Sequence, residues 1–205
     1  MHVLLINGSP HEKGCTYTAL SLVAGELNAA GITTEILNVG TKPVGGCIGC
    51  GGCAKGNGCV FGGVVNEAIE KARTADAFVF GTPVHYASAS GNMTSFMDRL
   101  AYAGGKYLAY KPAAICASAR RAGTTSALDQ LVKYPEFFHM PLVSGSYWPM
   151  VHGSNPEQVL QDAEGCAVMQ ELGRNMAWLL RCIEAGRAAG IDHPENPRRP
   201  MTNFI

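Results

Sequence analysis

A chain of 205 residues with 47% hydrophobic content can bury one good core, and it lies near the upper end of ordinary single-domain length. Its 16 basic and 16 acidic residues give a formal net charge of zero and a pI near 7.0, so nucleic acid and anionic membrane are excluded as primary partners for want of surplus Lys and Arg. No uninterrupted apolar stretch is long enough to span a bilayer.

The opening Met1-His2-Val3-Leu4-Leu5-Ile6-Asn7 has no basic run before its apolar residues and no small-residue cleavage site after them. It reads as a buried strand rather than a signal peptide, and a cytoplasmic location is expected. Ala19, Leu20, Val23 and Leu27 then recur at helical spacing, and Thr34 to Val39 alternates as a strand nearer an edge. A second helical stripe is Val65, Ala68, Ile69 and Ala72, followed by the apolar strand Ala77 to Phe80. Phe96, Met97 and Leu100 mark a third helix, Ala113 to Ala117 a fourth strand, and Leu128, Leu131 and Val132 a fourth helix. Leu142 to Ser146 is the candidate for the last strand. A long helix over Glu157 to Ala188 carries Leu160, Ala163, Ala167, Leu172, Met176, Leu179 and Ile183. This alternation predicts an α/β domain over residues 1–190, with a parallel sheet covered on both faces and a Cys-rich insertion at 40–63. Residues 191–205, rich in Pro and Arg, read as an extended arm over the surface or onto a second subunit.

Chemistry concentrates where strands end. Asn7-Gly8-Ser9-Pro10-His11-Glu12-Lys13-Gly14-Cys15-Thr16 leads the first strand into the first helix. Such a loop offers free amides and a positive dipole end to a phosphate. It is neither a P-loop nor a GxGxxG turn, and a plain helix start capped by Ser9 or Thr16 explains it equally well. Phe80-Gly81-Thr82-Pro83-Val84-His85-Tyr86 follows the third strand and offers a rigid wall for a flat heterocycle, the alternative being that Tyr86 is a half-buried surface aromatic. Ala117-Ser118-Ala119-Arg120-Arg121-Ala122-Gly123-Thr124 closes the fourth strand, where Arg120 and Arg121 also suit plain solvation.

Four of eight cysteines fall between Cys47 and Cys59, a clustering that points to metal or redox chemistry in a reducing compartment. Cys47, Cys50 and Cys53 at x2 spacing, with Cys59 as a fourth ligand, suit one [4Fe-4S] cluster, and Gly49, Gly51 and Gly52 permit the tight backbone. Zinc and free thiols are the alternatives. Cys116, Cys166 and Cys182 read as small buried apolar side chains.

The segments Gly8-Ser9-Pro10 with Gly14 and Thr16, Cys47-Ile48-Gly49-Cys50-Gly51-Gly52-Cys53 with Cys59, Gly81-Thr82-Pro83-Val84 with Tyr86, and Met97-Asp98-Arg99 together resemble the flavodoxin-like NAD(P)H-dependent FMN reductase and iron-sulfur flavoprotein family. That resemblance implies a doubly wound five-stranded sheet of order 2-1-3-4-5, with FMN at the switch point between strands one and three. It places the FMN phosphate at Ser9, Thr16 and Thr18, with Pro10 also at the cofactor, and there Cys15 replaces a common Asn and offers only its backbone N–H. It sets Thr82, Pro83, Val84, His85 and Tyr86 beside the isoalloxazine, with Ser118, Arg120 and Gly123 at its far edge. It further implies hydride transfer from NAD(P)H and electron delivery to a second acceptor: quinone, small molecule, iron or protein. No acid-base residue is assigned as essential; His85 is the one candidate proton donor, with a plain pocket-lining role as its alternative. Trp148 and His152 are candidates to complete the pocket, although core packing also accounts for the tryptophan. The rival functions are an electron carrier serving ferredoxin-like partners and a non-catalytic FMN-binding redox module. A homodimer or higher homo-oligomer is expected from the family and from the apolar segment Phe137 to Trp148.

Overall fold

The computed structural model describes residues 1–56, 58–196 and 202. Its sheet consists of β1 (His2–Asn7), β2 (Thr33–Asn38), β3 (Ala77–His85), β4 (Ser88–Ala89), β5 (Ala113–Ala119) and β6 (Met150–His152). The parallel path runs β2-β1-β3-β5-β6, and β4 is a short antiparallel return of β3. With β4 set aside, the parallel strands follow the flavodoxin-like order 2-1-3-4-5 that the resemblance implies.

The last strand is not where the sequence pattern puts it. Of Leu142 to Ser146, only Leu142 and Val143 meet the sheet, in an isolated parallel bridge at Ala113 whose carbonyl accepts from the Val143 amide at 2.8 Å. Eight positions separate Leu142 from Met150 against four between Ala113 and Ala117, so the surplus chain leaves the edge before β6 pairs with Ala117 to Ala119. Ser144, Gly145 and Ser146 offer no apolar face to hold a rung there. Glu171 draws the segment outward instead, its Oε2 accepting from the Ser146 amide at 2.8 Å and from the Ser146 hydroxyl at 2.6 Å.

Successive strand residues enter opposite layers. Leu4, Ile6, Phe78 and Phe80 pack with α2 (Val64–Thr74), α3 (Gly91–Gly104) and α4 (Thr124–Phe137). Val3, Leu5 and Val79 pack with α1 (Cys15–Ala29) and the C-terminal helices. Each fully buried aliphatic side chain in these layers stabilises the fold by roughly 1.5–3 kcal/mol.

The expected long helix divides into α5 (Pro156–Val159) and α6 (Ala163–Ala188). Asp162 starts the second: its Oδ1 accepts from the Gly165 amide at 3.0 Å, and its Oδ2 accepts from the His152 amide at 2.7 Å. That cap ties α6 to β6 and sets its buried face as Val168, Met169, Leu172, Gly173, Met176, Ala177 and Leu180, leaving Leu160 60% exposed. At Gly173 a Cβ would stand 2.7 Å from the Val23 carbonyl oxygen, so glycine permits the close crossing of α1 and α6.

Residues 191–196 extend from α6, and the His193 ring stacks on Tyr110 with centroids 4.3 Å apart. The rest of the expected arm, save position 202, lies outside the described residues. Among the described residues no helix is long and apolar enough to cross a membrane.

Of the three scattered cysteines expected inside, only Cys116 is buried; Cys166 is partly covered, and Cys182 lies on the outer side of α6. Burial pushes the Cys116 thiol from 9.0 up to about 12. Between those values the unfolded chain ionises this group while the folded chain keeps it protonated, so stability falls as pH rises above about 9, by up to about 1.4 kcal/mol per unit. Cys116→Ala should lessen the loss of stability between pH 9 and 11, read by urea denaturation under reductant. An unchanged alkaline slope would contradict this.

Candidate functional site

Three loops meet at the carboxyl edge of the sheet. In the first, Asn7 organises the turn: its Oδ1 accepts from the Ser9 amide at 3.1 Å, while its Nδ2 donates to the Glu12 carbonyl at 3.1 Å and to Asn38 Oδ1 at 2.8 Å. Ser9 Oγ accepts from the His11 amide at 3.1 Å. Helix α1 begins at Gly14 with no side-chain cap and no acidic residue in its first turn. The capped-start reading thus fails, and the amides of the first turn are left for an outside anion. Thr18 donates its hydroxyl to the Gly14 carbonyl at 3.1 Å, whereas the buried Thr16 hydroxyl lies 2.8 Å from Ser118 Oγ and so joins the first loop to the third. The Cys15 thiol is raised by burial and bonds to the Gly153 carbonyl at 3.4 Å.

The second loop is a hairpin rather than an open connection. His85 pairs with Ser88 across Tyr86 and Ala87, whose φ values of 49° and 59° are left-handed, a conformation that costs roughly 1–3 kcal/mol per non-glycine residue. Gln130 of α4 holds the turn, its Oε1 accepting from Ser88 Oγ at 2.6 Å and from the Ala89 amide at 3.0 Å. Tyr86 is completely exposed rather than half-buried, and His85 is exposed beside it. Thr82 is fully buried; its hydroxyl accepts from the Ser90 amide at 3.1 Å and donates to the Pro83 carbonyl at 2.9 Å. Pro83 and Val84 are partly exposed on the strand leading into the turn.

Gly123 (φ 94°) brings the third loop against the hairpin, and a Cβ there would stand 2.6 Å from the Ala87 Cα. Arg120 and Arg121 are both exposed. Trp148, 56% exposed, is not a core side chain; with Tyr147 it borders an apolar cleft of about 640 Å³ between α4 and the chain before β6. That cleft has no uncapped helix start to receive a phosphate, so its volume does not make it the flavin site. His152 sits on β6 with its Nδ1 3.5 Å from Asp162 Oδ2.

The cysteine loop lies beside α3. Gly49 and Gly51, at φ 66° and 68°, bend the chain so that Cys47, Cys50, Cys53 and Cys59 all border one cavity of about 220 Å³ with Phe61, Arg99 and Tyr102. Asn66 fixes Cys59, accepting from its amide at 2.8 Å and donating to its carbonyl at 3.0 Å. Among the described residues no three Cys, His, Asp or Glu side chains converge closely enough to hold a metal ion, the four loop cysteines included.

Residues 1–155 match the family described as NADPH-dependent FMN reductase. The chain belongs to that family. It is also 30% identical over 196 residues to an iron-sulfur flavoprotein of Archaeoglobus fulgidus, a match spanning 92% of this chain and 96% of that one. An iron-sulfur flavoprotein of Methanocaldococcus jannaschii is 26% identical over 192 residues, spanning 90% of this chain and all of the relative. The fold is similar to the crystal structure of RosB with the bound intermediate 8-demethyl-8-formylriboflavin-5'-phosphate, with a TM-score of 0.70 over 100% of this chain and 95% of that one at 13% identity. Family membership makes this an FMN-dependent oxidoreductase.

Some residues that position this family member's loops escape sequence reasoning, because their partners lie far along the chain. Ser90 caps α3 by accepting from the Met93 amide at 3.3 Å and also donates to the Gly8 carbonyl at 3.0 Å. Asn92 holds the start of the cysteine loop by donating to the Gly40 carbonyl at 2.9 Å and accepting from the Val44 amide at 3.1 Å. The one available signal was Asn7, a polar residue ending an apolar strand.

Thr16→Val would leave the Ser118 hydroxyl buried without its partner, destabilising even the flavin-free protein by about 1–3 kcal/mol. Adding Ser118→Ala should restore much of that loss. Denaturant unfolding of the apoprotein checks both, and equal stabilities for wild type and single variant would contradict the link.

Proposed function

We propose that the protein takes hydride from NAD(P)H onto FMN and passes the electrons to a second acceptor. The observation that carries this reading is the uncapped α1 N-terminus at the end of β1, facing the β3 hairpin and the β5 loop. FMN, when bound, supplies the chemistry, accepting hydride at N5 and releasing electrons onward.

The chain's own part is to bind and orient. The first-turn amides of α1, with Ser9, receive the terminal phosphate; Pro10 borders it, Thr16 sets the turn against Ser118, and Thr18 supports the turn from within the helix. Pro83, Val84, His85 and Tyr86 border the ring system, Thr82 acting by holding their strand in place. Ser118, Arg120 and Gly123 close the far side. The exposed ring of Tyr86, on a turn fixed by Gln130, leaves one face open to a nicotinamide. His85 lines this opening, and no proton transfer is assigned to it.

The donor set proposed for a [4Fe-4S] cluster is Cys47, Cys50, Cys53 and Cys59, a reading supported by the x2 spacing of the first three and by all four bordering one cavity. A cluster there supplies a one-electron outlet. Free, partly exposed thiols in this loop suit a reducing cytoplasm. The exposed Phe137, Leu142, Tyr147 and Trp148 support self-association, a homodimer being the simplest form.

Anaerobic mixing with NADH and NADPH tests the reductase reading, which expects near-stoichiometric bleaching of the flavin band. No bleaching with either nicotinamide would leave the electron-carrier reading. Cofactor released by heat should be FMN, and mainly FAD would contradict the phosphate site. Anaerobically prepared protein should contain roughly four irons and four acid-labile sulfides per chain, and Cys50→Ala should lose both while keeping FMN. Iron-free protein after reconstitution would reject the cluster.

A further inference from the structure

Arg99 of α3 is a buried cation with no acidic partner. It is 6% exposed, and among the described residues no carboxylate comes within ion-pairing distance of it. Its neighbour Asp98 is engaged instead by the Tyr134 hydroxyl at 2.5 Å. Arg99 reaches into the cysteine loop at three points: Nε donates to Cys59 Sγ at 3.2 Å, and the two terminal nitrogens donate to the Gly45 carbonyl at 3.3 Å and the Gly62 carbonyl at 3.0 Å. The guanidinium also lies 5.4 Å from the Phe61 ring centroid.

Removing a charge from water is costly unless another charge answers it, and two carbonyl dipoles and a ring face offset that cost only in part. The remaining partner is a cysteine sulfur on the wall of a cavity bordered by all four loop cysteines. Four thiolates holding a [4Fe-4S] core carry net negative charge, which grows by one when an electron enters. A cation fixed against one of the sulfurs therefore favours the reduced form, hydrogen bonds to cluster sulfurs being one of the levers by which a protein sets the potential.

We infer that Arg99 is the positioning residue of the cysteine loop: it holds Cys59 by N–H···S donation, ties the two arms of the loop at Gly45 and Gly62 to α3, and raises the reduction potential of a cluster bound there. The inference rests on the cluster reading above. It adds an assignment that the cysteine spacing alone does not contain, a built-in counter-charge supplied by the flavin domain rather than by the loop itself.

The test uses full-length protein reconstituted anaerobically with iron and sulfide, comparing wild type with Arg99→Gln and Arg99→Lys. Iron, sulfide and FMN are counted per chain, and dithionite titration is followed by electron paramagnetic resonance of the reduced cluster. Arg99→Gln should disfavour reduction at least tenfold, a midpoint at least 59 mV more negative for a one-electron couple, with FMN content unchanged. Arg99→Lys, which keeps the charge, should recover most of that shift. If Arg99→Gln retains too little iron to titrate while Arg99→Lys retains the full complement, the requirement for the charge is likewise upheld. Equal midpoints in wild type and Arg99→Gln would overturn the inference and leave the cluster reading standing. Loss of iron from both variants would also overturn it, reducing Arg99 to a structural clamp. A wild type that takes up no cluster would overturn both readings together.

Discussion

The close approach of β1 and β3 at their carboxyl ends is the constraint on which the site depends. The Gly8 amide donates to the Gly81 carbonyl at 2.9 Å, just beyond the register pair Asn7 and Gly81. A Cβ on Gly8 would stand 2.9 Å from Met93, and one on Gly40 would stand 2.4 Å from the carbonyl oxygens of Gly8 and Ser9. The first loop is therefore pinched between the start of the cysteine loop and the strand that carries the hairpin. Because α1, after β1, and α2, before β3, pack on opposite layers of the sheet, this is also the crevice where an open α/β sheet offers free amides.

From that pinch the other features follow physically. The uncapped α1 start is held open by Asn7 beneath it and by Thr16 reaching to Ser118 beside it. The left-handed Tyr86 and Ala87 persist because Gln130 and the missing Cβ of Gly123 over-determine their turn. The ring of Tyr86 on this strained turn is fully exposed.

The strands buried on both faces were legible because Val3 to Ile6, Ala77 to Phe80 and Ala113 to Ala117 are apolar without interruption, and their order came through the family resemblance. The last strand was not legible: Met150 to His152 is only three residues long, and Glu171, distant in sequence, takes Ser146 off the sheet edge. Asp162 likewise shifted the C-terminal helix face by capping a start inside the expected helix. Within the site, the loops were visible as Gly and hydroxyl clusters, but which hydroxyls face the opening was not. Thr16 is engaged with the third loop through Ser118, and Thr82 with Ser90 across its own hairpin; both engagements are tertiary facts. Arg99 was visible only as part of a motif; its partner Cys59 lies 40 positions away in sequence.

The central claim, that FMN is held where the three loops meet rather than in the apolar cleft beside Trp148, is tested most directly by titrating FMN into isotope-labelled apoprotein and following backbone amide resonances. The account predicts the largest shifts at Ser9 to Tyr17, at Val84 to Ala87 and at Ala119 to Gly123, with residues 142–149 little changed. Shifts confined to 142–149, with the α1 N-terminus silent, would contradict it.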